Sequence, residues 1–531
     1  MPSRNARNAH LFTSKGEVRS KGLYMTNAHK FLEYSIERTD DYLKQISREE
    51  RKYKGQFFTS KETAMFMADL FNYESLPEFV SILDAGAGSG ILTSAVIDRL
   101  CECENIKKIS ITCFETDPCI LPVLKDVLEY ATKICNKKLS YVLVNSDFVL
   151  YFSKSFEENN PTLHFDLTIG NPPYKKILKS DPVAKAVPSI IYGAPNLYFI
   201  FTSIALHTIK SNGELVFIIP RSWTSGVYFK KFREYLLTTG KITNIHLFTS
   251  RDKVFTKEQV LQETIIIKVV KDINNPRTVR ITSSLANGDF NSSSTLNVPY
   301  SLVISGTEKY VFLPTTIRDI ETIKKINKYH LTFPEIGIKM KTGIVVDFRN
   351  KDLLCQTQSE DCVPLFYSQN IKNGRVNHDP SGKKNDWIKT TKLGLIQKNK
   401  NYIFCKRFTA KEEKRRLQCG IYLARNFPEY KYIGTHNKIN FVELNEDKEN
   451  SLDCIYGIFA LLNSTLFDLY YRILNGSTQV NSSEINKISV PPLDIVKKIG
   501  QRLIEEGELT TEICDKISNA FHICNDITKR C

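Results

Sequence analysis

Between residues 80 and 270, short β-branched runs alternate with stretches of helical period. VSILDAG (80–86) ends in glycines, and ILTSAVIDRL (91–100) follows it. ISITCFETD (109–117) gives way to a helical pattern through LPVLKDVLEYATKI (121–134), and then comes SYVLVNSD (140–147). Further strand patterns are HFDLTIG (164–170), ELVFIIP (214–220), ITNIHLF (242–248) and ETIIIKVV (263–270). Strand, crossover helix, strand predicts an α/β fold on a doubly wound, mostly parallel sheet of seven strands. Such sheets bind ligands beyond the carboxyl ends of their strands, where the strand order reverses. The residues just after each strand are therefore the candidates for chemistry.

The pattern changes after about residue 275. DINNPRTVRITSSLANGDFNSSSTLNVPY (272–300) is rich in Asn and Ser and lacks period, as a linker with a few short strands would be. From about residue 330 the pattern is mixed, predicting a second, α+β region. The expected organisation is a flexible basic arm over 1–48, a catalytic domain over 49–272, a linker over 273–330 and a recognition domain over 331–531.

Charge adds a partner to this picture. The 531-residue chain carries a formal net charge of +15, with ordinary apolar (42%) and charged (25%) contents. A soluble protein with that excess points to a polyanion, nucleic acid before membrane. Lys372 to Arg416 holds 14 Lys and Arg against 4 Asp and Glu, interleaved with Trp387, Tyr402, Phe404 and Phe408. Basic residues among aromatics suit phosphate contact with base or sugar packing, and Lys406 and Arg407 are the candidates there.

Other classes fall away. The thirteen cysteines include no CxxC pair, and no clustered histidines complete a zinc site, so no metal is expected. They read as reduced core thiols of a cytoplasmic protein. The stretch at 455–471 that comes nearest to a membrane span is broken by Asn463 and Asp468 and reads as a core helix.

The strand ends carry the chemistry. In DAGAGSG (84–90), Asp84 and Ala85 lead into Gly86, Gly88 and Gly90, which permit a tight turn and close approach of a ligand before a helix N-terminus. The spacing departs from GxGxxG, which disfavours a pyrophosphate. Glu115 and Thr116 end the second strand, where a carboxylate can accept both hydroxyls of a ribose. Asp147 and Phe148 end the third, where an acid accepts from an exocyclic amine and a ring packs on a purine. Together they describe a pocket for an adenosine-bearing cofactor without a pyrophosphate.

The fourth strand ends in Asn171-Pro172-Pro173-Tyr174, followed by Lys175 and Lys176. The Asn171 side-chain oxygen and the Pro172 carbonyl can both accept from one planar amine. The prolines hold the backbone so that these acceptors converge, and Tyr174 offers a ring to stack on the amine's aromatic system. Withdrawing the hydrogens' positive character raises the nitrogen's nucleophilicity toward a methyl donor.

These motifs, in this order, resemble the S-adenosylmethionine-dependent adenine-N6 DNA methyltransferases of gamma motif order. They belong to the Eco57I-type methylases of type II restriction–modification systems. The resemblance spans roughly residues 50 to 270 and implies a class I, Rossmann-like methyltransferase fold. Within GQFFTS (55–60), it implies cofactor contacts for Gln56, Phe57 and Thr59, and within KVFTKEQVLQETIIIK it gives Phe255 the role of stacking on the target base with Tyr174. It further implies S-adenosyl-L-methionine as cofactor, double-stranded DNA as substrate, an extruded adenine, and direct transfer without a covalent intermediate. Lys175 and Lys176 would then lie against DNA. KMKTGIVVDFRN (339–350), YKYIGTHNKINF (430–441) and NGSTQVNSSEINKISVPPL (475–493) resemble the PstI/BsuBI-type branch, whose palindrome is CTGCAG. A monomer with a separate cognate endonuclease is expected.

Other functions share the Asn-Pro-Pro-Tyr geometry. Protein-glutamine methyltransferases present it to a carboxamide, some ribosomal RNA adenine methyltransferases to RNA, and cytosine-N4 enzymes to cytosine, typically with Ser for Asn. The first two usually have smaller accessory regions than the one here, and a non-enzymatic DNA-binding relative would be expected to have lost Asn171 or the glycines.

Overall fold

A computed structural model of the chain describes residues 29–47, 49–50, 58–250, 263–380, 382, 385–445 and 451–527. Its centre is a nine-stranded sheet. The strands are β1 (Phe79–Ala85), β2 (Lys108–Phe114), β3 (Lys138–Val144), β4 (Phe165–Gly170), β5 (Ile209–Pro220), β6 (Gly240–Phe248), β7 (Thr264–Lys271), β8 (Thr278–Ser284) and β9 (Ser294–Pro299). Their order is β3-β2-β1-β4-β5-β7-β6-β8-β9. The pairings from β3 through β5 are all parallel, and β7 inserts antiparallel between β5 and β6. The order reverses at β1, with β2 on one side and β4 on the other.

Helices cover both faces, as a sheet with this many all-apolar strands requires. On one face lie α1 (Lys30–Leu43), α2 (Lys61–Ala68), α3 (Ile91–Glu102) and α4 (Leu121–Ile134). On the other lie α5 (Phe148–Glu157), α6 (Leu197–His207) and α7 (Lys230–Thr239). Strand β4 is buried along its whole length, including the polar Asp166 and Thr168 that alternate with its apolar residues.

Two segments differ from expectation. Residues 30–43, placed in a flexible arm, form α1: the buried Asp98 carboxylate accepts from the backbone N–H groups of Phe31 (3.1 Å) and Leu32 (2.9 Å) in its first turn. An acid facing a helix N-terminus is a tertiary partner that no local pattern announces. Residues 278–299, placed in a linker, add β8 and β9 to the predicted seven strands. Their polar alternation suits a sheet edge with one wet face.

The C-terminal region holds a six-stranded and a five-stranded sheet with helices Leu452–Asn463, Thr465–Leu474, Leu493–Glu506 and Thr511–Ile527. The first and third of these helices touch backbone to backbone: a Cβ on Gly500 would lie 1.7 Å from the Asp453 carbonyl, and one on Gly457 1.9 Å from that of Val496. Among the described residues, no single helix is long and apolar enough to cross a membrane. The two regions meet at a buried charge cluster. Arg221, after β5, pairs with Glu263 (3.3 Å) and donates to the Ile473 carbonyl (2.8 Å), while Lys411 reaches Glu263 at 3.1 Å.

Candidate active site

The site is assembled by strand register. Ala85 pairs with Phe114 and Phe114 with Val144, so β1, β2 and β3 end at one level. Gly86, Glu115 and Asn145 therefore emerge side by side, with Asn171 at the end of neighbouring β4. These ends line a cavity of about 430 Å³, walled by Gly86 to Ser89, Glu115 to Asp117, Ser146 to Phe148 and Asn171 to Pro173.

The glycine loop turns through left-handed backbone at Gly86 (φ 77°) and Gly88 (φ 56°), where a side chain would be strained. The Gly88 N–H donates to Glu115 Oε2 at 2.9 Å, and Oε1 accepts from the N–H groups of Thr116 (2.7 Å) and Asp117 (2.8 Å). Three backbone donors thus fix the carboxylate at the cavity wall, and Oε2, which accepts one of them, keeps a lone pair for a ligand. Asp147 caps α5 by accepting from the Leu150 N–H at 2.9 Å, which orients its second oxygen. Behind it, Phe114, Phe148 and Phe201 form a ring cluster with centroids 5.2–5.3 Å apart between successive members.

At the β4 end, the Asn171 amide donates to Thr59 Oγ1 at 3.2 Å. In this orientation the nitrogen is the donor toward Thr59 and the oxygen is the acceptor. The Tyr174 hydroxyl donates to the Ile218 carbonyl of β5 at 3.1 Å, and its ring stands edge-on to Tyr198. Burial pushes the Tyr174 phenol well above its ordinary pKa, so the ring stays neutral.

Not every expected residue reaches the cavity. Asp84 and Ala85 lie behind the loop and do not line it, nor does Gly90. Asp84 is 1% exposed and accepts from the Thr93 hydroxyl at 2.6 Å. Burial raises its carboxyl to about 7, with the Thr93 hydrogen bond opposing and the Glu115 charge adding to the rise. Tyr174 sits beside the lining rather than in it. Lys175 and Lys176 are exposed just beyond the motif. Lys406 is half-buried at a strand end, while the Arg407 guanidinium donates to the Asn437 carbonyl (3.0 Å) and Gln479 Oε1 (3.5 Å). Gln56, Phe57 and Phe255 lie outside the described residues.

Sequence reasoning missed Phe58, Ser89 and Phe201, which also line the cavity. Phe58 sits beside the quoted Gln56-Phe57 pair, so its signal was adjacent. Phe201 belongs to an apolar helix whose other residues are core, and nothing local distinguishes it. Ser89 accepts from Thr39 of α1 at 2.6 Å, tying that helix to the glycine loop.

Two acids, an aromatic wall and Asn171 thus share one cavity, a lining that fits an adenosine with no pyrophosphate. The fold and pocket define a class I methyltransferase. A model of the Eco57I restriction-modification methylase family matches residues 101–255. The type II methyltransferase M.BsuBI of Bacillus subtilis is 34% identical over 468 residues, covering 86% of this chain and 91% of that protein. The type II methyltransferase M.PstI of Providencia stuartii is 31% identical over 481 residues, covering 88% and 93%. A solved structure of the type IIL restriction-modification enzyme MmeI in complex with DNA aligns with a TM-score of 0.48 and 11% identity, over 84% of this chain and 66% of that one. The chain belongs to the restriction–modification family of type II methyltransferases represented by M.BsuBI and M.PstI. Its cofactor is S-adenosyl-L-methionine.

Proposed function

We propose that the protein is a site-specific DNA methyltransferase that modifies the N6 amine of an adenine turned out of the duplex, protecting DNA against a cognate endonuclease carried on a separate chain. The observation that carries this reading is the Asn171 amide held by Thr59 at 3.2 Å beside the cavity wall. An amide whose nitrogen is already spent on Thr59 presents its oxygen to an amine. The Pro172 carbonyl supplies the second acceptor, and two acceptors match the two hydrogens of an aromatic amine.

When bound, S-adenosylmethionine supplies an electrophilic methyl group on a sulfonium. The residues of the chain do the rest. Glu115 and Asp147 hold the ribose and adenine ends, which sets the depth at which the methyl sits. Asn171 and Pro172 orient the target amine and draw positive character from its hydrogens. Tyr174, pinned through its hydroxyl to Ile218, offers a ring for the extruded base, whose unstacking costs a few kcal/mol. Phe255 is assigned the opposite face. The net charge of +15 and the restriction–modification names of the relatives support DNA over a protein carboxamide.

Expression in a host lacking DNA methylation, followed by modification-sensitive sequencing, tests the assignment. The expected result is N6-methyladenine at one recurring motif, of which CTGCAG is the first to examine. N4-methylcytosine instead would reassign the base, and unmodified DNA would remove DNA as the substrate.

A further inference from the structure

The C-terminal region holds a second cavity of about 350 Å³, lined by Asp347, Tyr367, Ser368, Gln369, Asn385 and Lys438. It is assembled from segments distant in sequence. The Ile344 and Val345 N–H groups donate to the Thr435 carbonyl, and the Asn437 N–H returns to the Val345 carbonyl at 2.8 Å. These bonds lay the 343–349 loop against the 435–438 turn.

The wall of this cavity is pre-organised. His436 is 2% exposed, and its Nδ1 accepts from the Lys438 N–H at 3.1 Å. The ring proton therefore sits on Nε2, which donates to Asp347 Oδ1 at 3.0 Å. Burial lowers the imidazole pKa, with Asp347 opposing and Lys438 adding to the fall, so the ring stays neutral. Tyr367 stacks on His436 with centroids 4.6 Å apart, and its hydroxyl donates to the Asn385 carbonyl at 2.9 Å. A neutral imidazole thus aims the half-exposed Asp347 carboxylate, and among the described residues Oδ2 has no partner. Lys438, three residues along the turn from Thr435, is exposed. Phe348, 70% exposed, carries the Arg349 guanidinium over its ring at 5.4 Å, placing a cation beside the cavity.

A chain of contacts runs from this cavity to β5. Arg407 donates from its backbone to the Lys438 carbonyl and from its guanidinium to the Asn437 carbonyl, both at 3.0 Å, and it reaches Gln479. The loop holding Gln479 begins at Gly476, which packs on Arg221 just after β5. Strand β5 carries Ile218, the partner of Tyr174.

We propose that this cavity reads one G·C pair of the DNA target through the major groove. Asp347 Oδ2 accepts from the cytosine N4 amine, and the Lys438 ammonium donates to guanine O6 and N7. Those edge groups lie side by side in the groove, and no other base pair presents a donor and two acceptors in that order. An acid repels phosphate, so a carboxylate beside Lys438 suits a base edge better than the DNA backbone. The inference rests on the DNA reading above.

Full-length wild type, Lys438→Gln and Asp347→Asn are expressed separately in a methylation-free host, and their DNA is sequenced for modified bases. Methylation rates are then measured on duplexes carrying each base pair at every motif position. We expect the wild-type motif to contain a G·C pair whose replacement slows methylation roughly tenfold to a hundredfold. In Lys438→Gln that discrimination falls by a similar factor at that position alone. Asp347→Asn puts a donor where the acceptor was and loses the preference for cytosine there. Lys438 is exposed, so its variant should melt at the wild-type temperature. Unchanged discrimination at every position, or weakening uniform across sequences, overturns the assignment of this cavity. A wild-type chain that leaves DNA unmodified overturns the DNA reading itself, and this inference with it.

Discussion

The two cavities are built on opposite plans. The first is made by neighbouring strand ends of one sheet, each contributing three or four residues at a level set by parallel register. The second is made by loops from around residues 347, 368, 385 and 438, held by a handful of backbone hydrogen bonds across two small sheets. On the proposed reading, the first plan serves a constant task, holding one cofactor and one amine. The second spreads its wall over four loops, so that Asp347, Asn385 and Lys438 can each be exchanged without disturbing the others. On the proposed readings, chemistry and target choice occupy separable parts of this chain, and substitutions should separate them.

The largest effect is expected at the first cavity. Asn171→Ala should slow methyl transfer about 10²–10³-fold at every DNA sequence while leaving cofactor affinity near normal, since it removes only an amine acceptor. Rapid-quench turnover beside calorimetric cofactor titration measures both, and an equal loss of cofactor affinity would break the division between amine site and cofactor site.

Next comes Asp84, behind the glycine loop. Its folded pKa of about 7 lies above the ordinary value of 3.8, so the folded state binds the extra proton between those limits. The stability it contributes is fully present below the unfolded pKa and is lost as pH rises through about 7. Asp84→Asn should flatten the fall in thermal stability between pH 4 and 7, by about 3 kcal/mol over that range. Melting curves across pH that keep the wild-type slope would place the titration elsewhere.

Thr59→Val should cost about tenfold in kcat, the scale of one neutral hydrogen bond lost, by freeing the Asn171 amide to rotate. If cofactor KM rose instead, with kcat unchanged, Thr59 would belong to the cofactor side of the cavity.

The smallest effect distinguishes two residues of the recognition region. Lys406→Gln should reduce the slope of log affinity against log salt by about one, equally for all sequences. Arg407→Gln should instead loosen the Asn437 and Gln479 loops and blur the motif, because its guanidinium is already engaged there. An identical salt effect from both would assign them the same phosphate role.

Legibility followed the same division. Glu115, Asp147 and Asn171 were legible because a parallel sheet presents every strand's carboxyl end on one edge, so strand-end residues meet whatever the details. Asp84 shows the limit of that rule, since the motif's first residue faces the core and only Gly86 to Ser89 reach the cavity. Phe201 was illegible because a cavity-lining phenylalanine and a core phenylalanine have the same local pattern. Helix α1 was illegible because its anchor, Asp98, is 66 residues or more away in sequence.

By itself, then, the sequence determined the sheet's parallel centre and the Asn-Pro-Pro-Tyr motif's place at the end of β4. Each of these rests on periodicity or on residues adjacent in the chain. Only the tertiary structure decided that Thr59 aims Asn171 from 112 residues away, and that His436 aims Asp347. Hydrogen bonds between distant segments leave no period in a sequence, because either partner alone is an ordinary polar residue.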